Sequence, residues 1–239
     1  MISPLFTELQ PAPMYHRPMI VSASYRTDIP AFYGAWFLNR FRAGYARVLN
    51  PYGGKPSTVP LRAGVDGFVF WTRNAAPFRA VLAQVRRAGY PFVVQYTVTG
   101  YPRELESSVT SPERAVATIR ALAEEFGPRA VVWRYDPILA TSLTPPVWHR
   151  ETFTRLADAL VGAVDEVCVS WATVYKKTAR NMVAAARASG FGWGDPPDED
   201  KRALLSALSA RAVERGLTFT LCSQADFLGP GIAAARCID

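Results

Sequence analysis

The chain has 239 residues, 49% hydrophobic and 20% charged, enough apolar material for the core of one domain of ordinary size. No apolar run approaches the eighteen or so residues of a membrane span, and the proline-broken N-terminus is not shaped like a signal peptide, so a cytoplasmic protein without a membrane partner is expected. Three cysteines (Cys168, Cys222, Cys237) with no CxxC pair exclude a self-contained zinc knuckle and argue against a disulfide framework, and the net charge of +7 is spread over 27 basic residues lying beside acidic ones.

In chain order, an arm over residues 1–18 precedes Ile20 to Ser24, a short apolar β-prone run that enters the polar turn Tyr25 to Asp28. Pro30 then opens an aromatic helical stretch, Ala31 to Arg42. Tyr45 to Leu49 reads as an extra strand, and the Gly/Pro segment Pro51 to Pro60 as a loop. Gly67 to Thr72, Phe92 to Thr97, Ala130 to Tyr135, Asp165 to Ser170 and Leu217 to Cys222 are five further buried-strand runs, each separated from the next by helical sequence. Ser111-Pro112-Glu113 is a helix start, with Ser111 suited to the cap and Pro112 to the first helical position. Six strand–helix units require parallel pairing, since each crossover helix must cover the sheet; the fold class is α/β, a parallel (β/α)6 partial barrel resembling a TIM barrel, over residues 19–223. Residues 224–239 form a tail with no visible closing element, which reads as truncated.

In such folds the loops after the strands meet at one face, so residues there are the candidates for binding. They are Arg26 and Asp28; Thr72, Arg73 and Asn74; Thr97; Arg134 and Asp136; Ser170; and Lys176. Arg134 stands out, because a guanidinium closing an apolar strand needs a partner, for which Asp136 and Asp28 are available, or a ligand. The surplus of cations points to an anionic small molecule, with nucleic acid as a further partner class. His149, at a helix start beside Trp148, reads as a cap-region or packing residue rather than a catalytic base.

Several segments together resemble the family of domain of unknown function 1848. They are Ile20 to Tyr33, Asp66 to Asn74, Gln95 to Tyr101, Val131 to Leu139, Trp148-His149 with Phe153 and Leu156, Tyr175 to Asn181, and Cys222 with the terminal Cys237-Ile238-Asp239. The run Arg134 to Ile138 is similar to a segment of spore photoproduct lyase, a radical S-adenosylmethionine enzyme on a six-unit partial barrel. The resemblance implies an iron–sulfur enzyme using S-adenosylmethionine and a [4Fe-4S] cluster, whose ligands longer relatives carry in a cysteine-rich end. This chain shows no such run. Cys222 and Cys237 are its only candidate ligands, so no cluster is expected in this chain alone unless a partner protein supplies thiolates. The alternatives are a non-redox binding module or degenerate enzyme holding an anionic small molecule or nucleotide, and a nucleic-acid-binding protein.

Overall fold

The computed structural model describes residues 18–24, 27–49, 53–236 and 238. Its strands are β1 (Ile20–Ser22), β2 (Tyr45–Val48), β3 (Ser57–Pro60), β4 (Gly67–Thr72), β5 (Phe92–Thr97), β6 (Val131–Ile138), β7 (Glu166–Trp171), β8 (Thr218–Leu221) and β9 (Ala233–Ala234). The helices are α1 (Ile29–Phe32), α2 (Gly34–Ala43), α3 (Arg79–Arg87), α4 (Pro112–Phe126), α5 (Pro146–Leu160), α6 (Lys176–Ser189) and α7 (Asp198–Val213). The six expected strands are β1 and β4 to β8. With β9 they form an open, all-parallel sheet in the order β1-β4-β5-β6-β7-β8-β9.

From β1 to β8 each crossover advances to the next strand in the same direction. Since such crossovers are right-handed, the helices fall on one face of the sheet. Side-chain alternation sorts the residues accordingly. The helix-bearing face carries Phe68 and Phe70, Phe92 and Tyr96, Trp133 and Tyr135, and Phe219. Phe37 of α2 meets Phe68 and Phe70 edge-on at 5.8 and 5.2 Å, and Phe153 of α5 lies 5.0 Å from Trp133, 5.2 Å from Tyr135 and 6.1 Å from Phe219. Phe153 is fully buried, so truncating it to alanine costs ~3–5 kcal/mol. Ser111 caps α4 by accepting from the Arg114 N–H, with Pro112 in the first turn.

Three expectations are corrected. Ser57–Pro60, at the end of the expected loop, is a strand that pairs antiparallel with β2, because Leu61 N–H donates to Gly44 O at 2.9 Å and closes the ribbon. The aromatic helix is two helices: Asp28 caps α1, Tyr33 leaves helical geometry, and Gly34 restarts the helix where a Cβ would sit 3.2 Å from the Phe78 ring. The tail adds β9 beside β8, tied by Ala235 N–H to Leu221 O at 2.9 Å and by Ser209 Oγ to Gly231 O at 2.6 Å. The β7-to-β8 crossover holds both α6 and α7, and Met182 is the buried residue of α6. Among the described residues no helix is long and apolar enough to cross a membrane.

Candidate functional site

The face of the sheet turned away from the helices is polar. The register places Thr97, Arg134, Cys168 and Thr220 side by side on β5, β6, β7 and β8, and Trp71 beside Gln95 one step earlier on β4 and β5. The Arg134 guanidinium, only 4% exposed, is held on three sides. Nε donates to Asp136 Oδ1 at 3.0 Å and Nη2 to Oδ2, Nη1 donates to Gln95 Oε1 at 3.2 Å, and the group lies 4.7 Å from the centre of the Trp71 ring. Trp71 Nε1–H in turn donates to Ser22 Oγ at 3.1 Å, extending the chain of contacts to β1. Burial works against the Arg134 charge, but the hydrogen bonds and charge of Asp136 outweigh it and raise its pKa, so the pair is a fixed dipole on the sheet.

On the neighbouring strand, a hydrogen bond with the Cys222 thiol and then burial push the Cys168 thiol well up, so it stays protonated and is a poor nucleophile. Thr220 Oγ1 donates to Glu166 Oε1 at 2.7 Å. Towards the C-terminal ends of the strands, Asp136, Ser170 and Cys222 are half-buried, as is Thr97.

The remaining candidates form a second group at the end of β4. Asp28 accepts from Ala31 N–H at 2.9 Å and from Arg73 N–H at 2.8 Å, so its carboxylate joins α1 to β4. Thr72 Oγ1 accepts from Asn74 N–H at 2.9 Å, and Asn74 Oδ1 from Ala76 N–H at 3.2 Å. The Arg73 guanidinium pairs with Glu106, whose other oxygen accepts from Thr99 Oγ1 at 2.8 Å. Lys176, the first residue of α6, is exposed. Arg26 and Cys237 lie outside the described residues.

Sequence reasoning did not list Ser22, Trp71, Gln95 or Glu106 among the site residues. Gln95 was findable as the one amide in Phe92 to Thr97, two positions before Thr97 and therefore on its face. His149 is buried, as its reading as a packing residue expects. Its Nε2 faces the Leu139 carbonyl at 3.2 Å and so carries the proton, which leaves Nδ1 to accept from the Tyr135 hydroxyl at 2.8 Å. Burial lowers its pKa to about 4, and it is neutral at neutral pH. Tyr101 secures the exit of β6, accepting from Leu139 N–H and donating to Pro137 O, both at 2.8 Å.

Among the described residues no three of His, Cys, Asp and Glu come together as a metal site, and their only thiols are Cys168 and Cys222. A cluster that activates S-adenosylmethionine needs three thiolates, so the described residues do not by themselves fit one. No curated protein and no solved structure matches the chain. The model of the domain of unknown function family DUF1848 matches residues 20–239, taking in every strand of the sheet and both groups of rim residues, and the chain belongs to that family.

Proposed function

We propose that the sheet curls into a partial (β/α) barrel and that its helix-free face is the floor of the substrate site of an enzyme core acting on a small molecule. One observation carries this reading: the polar row Thr97, Arg134, Cys168 and Thr220 on a face that packing alone would fill with apolar side chains. A buried guanidinium and amide are costly to place, and a parallel sheet has no structural need of them. Thr97 ends β5, and with Asp136, Ser170 and Cys222 it carries polar groups to the C-terminal ends of the strands, where open and closed α/β sheets bind ligands.

The floor presents both signs of charge, Arg134 and Asp136, which suits a zwitterionic group such as an amino-acid moiety. S-adenosylmethionine, which the resemblance implies, carries one. The thiols among the described residues fall short of a cluster site, so no step of a reaction is routed through one. The test is calorimetric titration of the chain with S-adenosylmethionine and S-adenosylhomocysteine, using Thr97→Trp and Ser170→Trp to fill the face and circular dichroism to check the fold. Saturable binding that weakens at least tenfold in a folded filled variant supports the site; no binding, or binding indifferent to both substitutions, refutes it.

A second reading, nucleic-acid binding, is favoured by where the charge lies. Residues 29–65 hold five of the 27 basic residues and none of the 20 acidic ones, and they expose Phe32, Tyr33 and Trp36. Cations interleaved with exposed rings suit a single strand. An oligothymidylate titration at two salt concentrations checks it: a steep salt slope lessened in Trp36→Ala and Arg40→Ala supports it, and absence of binding at low salt removes it.

A further inference from the structure

Helix α6 carries its charge differently from α5 and α7. From Val167 to Gly194 the chain has no acidic residue, and the four basic ones, Lys176, Lys177, Arg180 and Arg187, all lie on α6. Positions 176, 180, 183 and 187 follow the four-three-four spacing of one helix face. Lys176, Arg180 and Arg187 therefore form a single stripe with Val183 among them, and Lys177 flanks its start. Every residue of the stripe is exposed, and Met182, the buried residue of the helix, falls on the opposite side.

On α5 and α7 the basic residues find carboxylates. Arg155 faces Glu113 at 3.9 Å, Arg211 meets Glu214 at 3.0 Å, and Arg215, just past α7, meets Asp158 of α5 at 2.6 Å. Among the described residues none of the four α6 cations is in an ion pair. The placement of the first three also works against the helix. Lys176 and Lys177 sit at the positive end of its macrodipole, and Lys176 and Arg180 are like charges one turn apart. Tyr175, at the cap position, makes no side-chain hydrogen bond to offset them. Folding gains nothing from these cations, and an external anion is the complement they lack.

The shape of the stripe selects among anions. A lone phosphate is held by cations that converge on a point, whereas these run along a line of about 16 Å. That form suits a backbone carrying a charge about every 3.4 Å along each strand. A membrane surface would take the apolar side of an amphipathic helix, and here the side bearing Met182 is turned to the protein. Tyr175, 69% exposed and immediately before Lys176, adds a ring on which a base can stack.

We propose that the basic stripe of α6, with Tyr175, is an interface for single-stranded nucleic acid, its cations meeting successive phosphates and the Tyr175 ring one base. The proposal rests on the nucleic-acid reading above and gives it a second surface, separate from residues 29–65. The test is fluorescence anisotropy of labelled oligothymidylate with the whole chain at two salt concentrations, circular dichroism checking the fold of each variant. Lys176→Gln combined with Arg180→Gln should weaken binding at low salt at least tenfold and lower the slope of log affinity against log salt by about 1.4, at ~0.7 per lost contact. Tyr175→Ala should weaken it about fivefold or more. Arg211→Gln, on α7, should leave it nearly unchanged. If the double variant misfolds, Arg187→Gln alone is expected to lower the slope by about 0.7. Wild-type binding that folded α6 variants and Tyr175→Ala leave intact overturns the interface while the reading on residues 29–65 stands; absence of wild-type binding at low salt overturns both. Phosphatidylserine vesicles held as tightly as the oligonucleotide, through the same α6 residues, would assign the stripe to lipid and overturn the proposal.

Discussion

Replacing Asp136 with leucine leaves the Arg134 guanidinium 4% exposed and without its carboxylate. Two charge-assisted hydrogen bonds go, while the Gln95 carbonyl at 3.2 Å and the Trp71 face at 4.7 Å remain. Breaking a buried ion pair from one side costs ~3–5 kcal/mol. The Asp136 side chain keeps 14% of its exposure, which lets water reach the site and sets the expectation at the lower end, about 3 kcal/mol. Arg134→Met strands the better-solvated partner and should cost less, about 2 kcal/mol. Arg134→Met with Asp136→Leu removes both charges and should cost less than the two singles together by about 2 kcal/mol. Urea unfolding of the four proteins at constant slope measures the cycle. A single-variant cost for Asp136→Leu below about 1 kcal/mol, or strict additivity in the double variant, would refute the claim that the two groups are held as a buried pair.

His149 predicts a pH dependence. Its folded pKa, about 4, lies below the ordinary imidazole value, so below neutrality the unfolded chain takes up the proton first. The stabilisation is complete above about pH 6.5 and fades as pH falls towards 4, with roughly 1 kcal/mol gone by pH 5.5. Wild-type unfolding free energies at pH 7 and 5.5, compared with those of His149→Gln, isolate the effect, and a His149 ring signal that titrates near pH 6.5 would contradict it. Asp28→Ala removes the cap of α1 and the acceptor for Arg73 N–H, at a cost of about 2 kcal/mol in unfolding free energy; Asp28→Asn should recover part of it.

The strands that carry their own signal were legible. Phe92 to Thr97 and Ala130 to Tyr135 are apolar, β-branched and aromatic, and helices of clear amphipathic pattern separate them. β3 and β9 were not, because Thr58 and Val59 are too short a β-prone run between Pro56 and Pro60 to stand out, and a strand of two alanines has no local preference for extension. They exist through partners distant in sequence, β2 for one and β8 with Ser209 for the other. The site divides in the same way. Arg134 stood out because a charge in an apolar strand is costly wherever it points, whereas Trp71 and Gln95 became site residues only when the register set them beside it. Asp28 and Arg73 were read as rim residues open to a ligand; their engagement with backbone amides and Glu106 depends on loop geometry that residue type does not encode.

The sparse packing of α6 has a kinetic meaning. This helix shares one crossover with α7 yet commits one buried side chain, Met182, worth ~2 kcal/mol, against the much larger burial of α5 and α7. A segment held so lightly opens by itself, far more often than the domain unfolds, and its amide hydrogens should exchange well ahead of those in the sheet. The loop carrying Trp193 follows directly from its C-terminal end. Excursions of α6 would loosen the loop that, with the end of β7, lines a cavity of about 440 Å³, while Trp171, anchored in the sheet, stays in place. Access to that cavity would then be timed by the helix, on the timescale of its own opening rather than that of the sheet.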